Sequence, residues 1–450
     1  MVCTASLALG RAIASNADAT LPPDVLLKSK LHLLDTLAAI LSGSRLKPGL
    51  FAARFVESQG GRPEATVLGA GYATSAVNAA LANGMTAHAD ETDDSHLASR
   101  SHLGCAVVPA ALAMAERADA SGRALVNAVA LGYDVGARST IALGYGPAKT
   151  QKHSTHGLAA TFGAAAAAGA LIRPDDAAAV TVLAYAAQQA SGIPSWNRDP
   201  DHIEKAFDFG GMGARNGVFA ALIVEAGATG VSDPLTGPHS YLDAFAERPD
   251  PAALTDGLGT RSEIMQASIK KWCVGSPIQA ALDSLTFLMA EHRVGADDVE
   301  RLVVHMPDDR LHVVSDRDIP DICLQHLLAL TLVDGTLTFA TSHNEHRMHD
   351  PAVLAMRARI EAVPSSELTR AKPARQAIVD LHLRNGHVVR HRTFAVLGTP
   401  DNPMSRSEVE AKADDLIAPV LGAARSRDLV DAVMAMETIP SVRTLRPLFS

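Results

Sequence analysis

At 450 residues the chain is long enough for two domains or more, each burying its own core. A formal net charge of −9 with no basic block excludes a nucleic-acid surface, which needs a stripe of lysine and arginine. The four cysteines, Cys3, Cys105, Cys273 and Cys323, form no C-x-x-C pair, which argues against a zinc ribbon, an iron–sulfur cluster or a disulfide framework. Reduced thiols fit the cytoplasm. No uninterrupted apolar run reaches membrane-spanning length, and no basic region precedes the apolar N-terminal residues. Neither a membrane span nor a signal peptide is therefore expected.

Residues 22 to 44 open on Pro22-Pro23, where a helix can start, and carry Leu33, Leu34, Leu37, Ile40 and Leu41 at helical spacing. A second helix is expected over 75–90. Residues 107–118 and 121–143 read as a helical hairpin. Residues 158–171, built of Ala and Gly, are apolar all round, so this helix should be buried and closely approached by its neighbours. The next helix covers 175–191. Gly210-Gly-Met-Gly-Ala-Arg215-Asn216-Gly217 opens a helix through Glu225, and its spacing fits neither a dinucleotide fingerprint nor a phosphate loop. Beyond residue 265 the texture changes. Helices are expected over 278–291, 324–332 and 352–363, and a strand over 301–306. Strands 378–383 and 387–394 flank Asn385-Gly386, a hairpin signal. Ser405-Arg-Ser-Glu408 is a capping box that starts a helix, and a last helix ends at Ile439-Pro440. The fold class is mainly α: an all-helical domain over 1–265, a smaller α+β domain over 266–400, and helices over 401–450 that return to the helical body.

Residues 83–105 stand apart. Asp90, Glu91, Asp93 and Asp94 lie there with His88, His96 and His102, between apolar segments. Acid–base chemistry is expected where titratable groups gather between core-forming stretches. A solvated acidic loop has the same charges but little use for imidazoles. Carboxylates plus histidines also fit a hard-metal site. His88, in an Ala-rich helix, reads as a hydrogen-bonded interior histidine. His343, His346 and His349, three residues apart, read as an exposed turn, and Trp272 as packing.

These residues resemble the MmgE/PrpD family. The resemblance rests on Asn83-Gly84, Ala87-His88, Asp93-Asp94-Ser95, His102-x-Gly104 and Val108-Pro109-Ala110-Ala111. It continues through His153-Ser-Thr into Phe162-Gly163, Lys205 followed by Gly213-Ala-Arg-Asn-Gly217, and Lys270-x-Trp272 followed by Asp283. It covers nearly the whole chain. The family includes 2-methylcitrate dehydratase, cis-aconitate decarboxylase and iminodisuccinate epimerase. The resemblance implies a large all-helical domain and a smaller α+β lid domain. It also implies a homodimer, an active site between the domains, and neither a metal nor an organic cofactor. By position His102 matches the family's active-site histidine and Lys270 its lysine. Lys205 meets the other family lysine after a one-residue slip. His153 matches a second histidine, but one extra residue before Gly163 lets His156 take that role. Glu91 and Ser95 stand where the family commonly has aspartate and threonine. Ser276 and Gln279 replace an arginine and a histidine. Losing that carboxylate clamp points to a substrate less charged than a tricarboxylate, or of another shape.

The expected chemistry is proton transfer beside a carboxylate of a small hydroxy-acid, with water elimination as the leading outcome. His102 is the main acid–base group, and His153 or His156 the second. Glu91, Asp93 or Asp94 would orient the imidazoles, and Lys205 and Lys270 would stabilise developing negative charge. Ser95, Asp94, Ser276, Gln279 and Gln325 are the expected substrate contacts. Decarboxylation or epimerisation on the same scaffold stays open. So do a metal-dependent hydrolase and a non-catalytic helical binding protein.

Overall fold

The structure is a computed structural model, described for residues 4–145 and 152–450. Cys3 and Gln151 lie outside the described residues. The chain divides into two compact units. Unit 1 takes residues 1–89, 93–267 and 406–450, and unit 2 takes 90–92 and 268–405.

Unit 1 is helical apart from short strands. Its buried centre is the Thr155–Leu171 helix, packed against Gly122–Ile141 on one side and Met212–Glu225 on another. The Ala/Gly composition is what permits this. A Cβ on Gly213 would stand 2.4 Å from the Cβ of Ala160, and one on Gly163 would stand 2.7 Å from the Gly132 carbonyl oxygen. Gly84 and Gly210 meet in the same way, since a Cβ on Gly210 would fall 2.0 Å from the Gly84 carbonyl oxygen. The glycine run at 210–217 thus serves helix contact. It does not open the helix, because Ile203–Ala206 and a π-helical turn, Phe207–Gly211, lead straight into Met212.

The Pro23–Gly43 helix carries the link to the C-terminal segment. Lys412, on the Arg406–Leu421 helix, reaches Asp35 with Nζ 2.6 Å from Oδ1, both residues buried. Lys30 donates to the Met434 carbonyl at 2.8 Å and pairs with Glu437 at 2.9 Å. Past the Ala423–Met434 helix the chain continues as two 3₁₀ segments, Met436–Thr438 and Val442–Leu448. One departure from an all-helical body is an antiparallel pair, Ala65–Val67 with Tyr72–Thr74, turned at Gly69 and Gly71 with φ of 73° and 76°.

Unit 2 is a four-stranded sheet with helices. In order across the sheet, Ile360–Ser365 pairs parallel with Val299–Pro307, which pairs antiparallel with Ala377–Leu383, which pairs antiparallel with Val388–Thr393. The Asn385-Gly386 hairpin forms as expected, with Gly386 at φ 85°. The expected helix over 352–363 is corrected. Helix Pro351–Arg357 stops, and Ile360 to Val363 join the sheet. Ile360 and Ala362 pack against the core of this unit while Glu361 between them is exposed, a period of two, and Pro364 cannot extend a helix. Among the described residues, no helix is long and apolar enough to cross a membrane.

Candidate active site

Four helix ends in unit 1 supply one cluster of rings. His88 is the C-cap residue of Ala76–Ala87. His102 stands just ahead of Gly104–Ala118, whose N-cap is Leu103. His156 lies in the first turn of Thr155–Leu171. Phe209 comes from the π-helical turn, a local widening of the helix often found at functional sites. Phe209 stacks on His156 with centroids 3.6 Å apart and on His88 at 4.3 Å. His102 lies 5.0 Å from His88 and 5.3 Å from His156, centroid to centroid. His202 joins at 5.3 Å from His88.

Asp93 organises the cluster. Nδ1 of His88 is 3.0 Å from Asp93 Oδ2, and Nδ1 of His102 is 3.1 Å from Oδ1. Burial alone would raise this carboxyl, but His102 and His88 hold it well below the usual carboxylate range. An ionised carboxylate only accepts, so both Nδ1 atoms carry the proton and both Nε2 atoms are left as the basic sites. Burial keeps His88 low, with Asp93 opposing. His156 is driven well below the ordinary imidazole value by burial, reinforced by His102, His88 and Lys205. His88 is fully enclosed, whereas His102 keeps 9% of its surface. Lys205 places Nζ 5.3 Å from the Phe209 ring centre and 5.8 Å from that of Trp196.

Beside this cluster lies Asp208. Gly157, next to His156, makes room for it, since a Cβ there would stand 3.0 Å from Asp208 Oδ1. Burial pushes the Asp208 carboxyl up to about 7, although Ser154 donates to its Oδ2 at 2.5 Å. Trp196 Nε1 donates in turn to Ser154 Oγ at 3.3 Å. Asp208, Phe209, Trp196 and His202 were not singled out from sequence. The available signal was the scarcity of aromatics, 4% of the chain with two tryptophans, against which Trp196 and Phe209 bracket Lys205.

The other expected site residues divide. Glu91 and Lys270 meet in unit 2, where Lys270 Nζ donates to the Glu91 carbonyl at 2.6 Å and lies 3.7 Å from its carboxylate. Among the ring contacts of the described residues, His153 meets a different partner. It packs edge-on against Phe245 at 4.9 Å, so His156 is the one beside His102. Ser95 is buried in the short strand Ser95–His96, and Ser276 is half-buried in a 3₁₀ turn.

Three expected substrate contacts have their polar atoms hydrogen-bonded within the fold. Asp94 accepts from the Tyr133 hydroxyl at 2.5 Å, from His32 Nδ1 at 3.0 Å and from the Gly104 amide at 3.1 Å. Gln279 bonds the backbone of Trp272 and Val274. Gln325 joins Asp316 N and Ser315 Oγ. Gly104 belongs to the Asp94 knot, where a Cβ would stand 2.6 Å from Thr36 Oγ1 and 2.7 Å from the Tyr133 hydroxyl. Asp283 accepts from Trp272 Nε1 at 2.9 Å. His343 is likewise not on an exposed turn: its side chain is 10% exposed and ion-paired to Asp90 at 2.7 Å.

His88, Asp93 and His102 also offer donor atoms within 4.8 Å of one another, the spacing a cation would need. A cation bound through the two Nδ1 atoms would displace both protons donated to Asp93.

Comparison with known proteins bears on this arrangement. The model of the MmgE/PrpD N-terminal domain matches residues 8–254, and that of the MmgE/PrpD C-terminal domain matches residues 272–437. A cis-aconitate decarboxylase-like protein, oryM, of Aspergillus oryzae is 24% identical over 468 residues, covering 96% of this chain and 94% of that protein. With both domain models matched in order along most of its length, the chain belongs to the MmgE/PrpD family.

Proposed function

We propose that this chain is a lyase acting on a small hydroxy- or unsaturated carboxylate, with His102 moving a proton at the carbon beside the carboxylate. The observation that carries the reading is the Asp93 carboxylate shared by His88 and His102. It fixes the His102 tautomer, so that Nε2 takes the proton and Asp93 stabilises the imidazolium that results. Electron density then moves onto the substrate carboxylate. The Lys205 ammonium and the amide-bearing first turn of Thr155–Leu171 oppose that charge, in surroundings where burial strengthens each interaction.

Elimination of water needs a second acid. His156 is held neutral by burial and is assigned to substrate contact. Asp208, with its carboxyl near 7, is assigned as the store of the proton that leaves with the hydroxyl. Glu91 and Lys270 are assigned to the same chemistry, Lys270 as a second cation for a substrate carboxylate. Independence from metal and organic cofactors, and a homodimer, belong to the same reading.

Decarboxylation is the second reading, favoured by the name of the Aspergillus oryzae relative. There the bond to the carboxyl carbon breaks, carbon dioxide departs, and protonated His102 delivers its proton to the carbon left behind. A panel of hydroxy- and unsaturated di- and tricarboxylates, followed by NMR with chelator present, separates the two. Loss or addition of water is the expected result. Release of carbon dioxide selects the second reading. Turnover that stops with chelator and returns with a divalent metal contradicts both.

A further inference from the structure

Glu91 is held from both sides within unit 2. On one side Lys270 donates to its carbonyl oxygen at 2.6 Å. On the other, Asp90 is closed into a tight turn by Thr92, whose amide donates to Oδ1 at 3.0 Å and whose hydroxyl donates to Oδ2 at 2.5 Å. His343 then places Nε2 2.7 Å from Asp90 Oδ2 and 4.0 Å from Asp321 Oδ2. The imidazole is itself fixed. Its Nδ1 is 3.0 Å from the Phe339 carbonyl and 3.0 Å from Ser342 Oγ, and its ring stacks on Phe339 with centroids 4.1 Å apart. His346 and His349, at the same spacing in sequence, are exposed. One of the three histidines has thus been drawn inside, against two buried carboxylates.

We propose that His343, as an imidazolium paired with Asp90, is the positioning residue that sets the Glu91 carboxylate beside Lys270. The inference rests on the reading above, in which Glu91 and Lys270 take part in turnover. It follows from charge and connection. Asp90, Glu91 and Asp321 would repel one another without cations, and the two cations among these contacts are His343 and Lys270. Removing the His343 charge frees the Asp90 turn, and Glu91 is the next residue along. A carboxylate displaced by a fraction of an ångström loses much of its effect on a reacting group.

The charge state follows from the surroundings. Burial alone would lower the His343 pKa, but Asp90, then Asp321, raise it from the ordinary 6.5 to about 9. The Asp90 carboxyl would be raised by burial, yet His343 and Thr92 bring it below the ordinary range. Burial pushes Asp321 up to about 6. A histidine with a raised pKa contributes stability that is complete below about pH 6.5 and is lost as pH rises through about 9. The clasp should therefore hold at neutral pH and open on the alkaline side.

The test compares wild type with His343→Gln and Asp90→Asn. In the wild type, turnover falls as pH rises through about 9. In His343→Gln, kcat at pH 7.5 drops roughly 10- to 100-fold, that alkaline limb flattens, and KM changes far less. Asp90→Asn gives a similar loss, and the double variant is no worse than either alone. NMR of the wild-type His343 ring should titrate near 9, and the Thr92 amide should exchange faster in His343→Gln. A ring that titrates near 6.5, or a His343→Gln enzyme with wild-type kcat and pH limb, overturns the inference while leaving His102 untouched. If no carboxylate turns over but the ring titrates near 9 and Thr92 exchange responds, the clasp stands and the functional reading fails.

Discussion

His102→Gln should lower kcat by about 10³-fold on whichever carboxylate the wild type turns over, with the melting temperature nearly unchanged. Glutamine fills similar space and can still donate to Asp93, so the ring contacts with His88 and Phe209 relax little. It has no basic nitrogen, so proton transfer falls to water. The loss should appear in kcat and kcat/KM together, the pattern of an interaction made only in the transition state. Circular dichroism with steady-state kinetics checks both halves. A tenfold loss or less would move the acid–base role away from His102.

The second large effect concerns stability. Lys412→Met should destabilise the chain by about 3–5 kcal/mol at pH 8, because it leaves the Asp35 carboxylate buried without its cation. Asp35 is 1% exposed, and its Oδ2 has no hydrogen-bond partner among the described residues. Burial raises the Asp35 carboxyl, with Lys412 opposing. Without Lys412 the acid can take a proton, so the loss should be smaller at pH 5 than at pH 8. Adding Asp35→Leu to Lys412→Met should recover most of the stability, since neither charge of the pair is left without its partner. Urea denaturation of the two single variants and the double at both pH values measures this. A Lys412→Met variant as stable as wild type would mean the Arg406–Leu421 helix is not held to Pro23–Gly43 by this pair.

Much of the architecture was legible in the residues, for local reasons. The Ala/Gly stretch at 158–171 could be read as buried and closely packed because nearly every side chain on it is apolar and small. The Asn385-Gly386 turn could be read because few dipeptides favour φ > 0 so strongly. Residues 360–363 could not, since a short apolar run follows a real helix and only its partner strand, Val299–Pro307, decides its state. The glycines at 210–217 were open to several meanings until Ala160 and Gly84 appeared opposite them.

In the site, His102 with Asp93 was readable from crowding and from the family resemblance. Which of His153 and His156 stands beside it was not, since both lie at the start of the same helix and only the packing of Phe209 and Phe245 separates them. The hydrogen bonds of Gln279 and Gln325 within the fold were not legible, because an amide looks the same in sequence whether it meets a substrate or its own backbone. His343 was missed because its partner, Asp90, lies some 250 positions away in the chain.

In the proposed reaction His102, its Nδ1 proton committed to Asp93, exchanges a proton with the carbon next to a carboxylate. The direct measurement is solvent deuterium uptake at that carbon, followed by NMR in deuterated water, in wild type and in His102→Gln. Uptake in the wild type at or above the rate of net conversion, abolished in His102→Gln, is the predicted result. Product formed without any deuterium at that position, or uptake equally fast in both proteins, would contradict it.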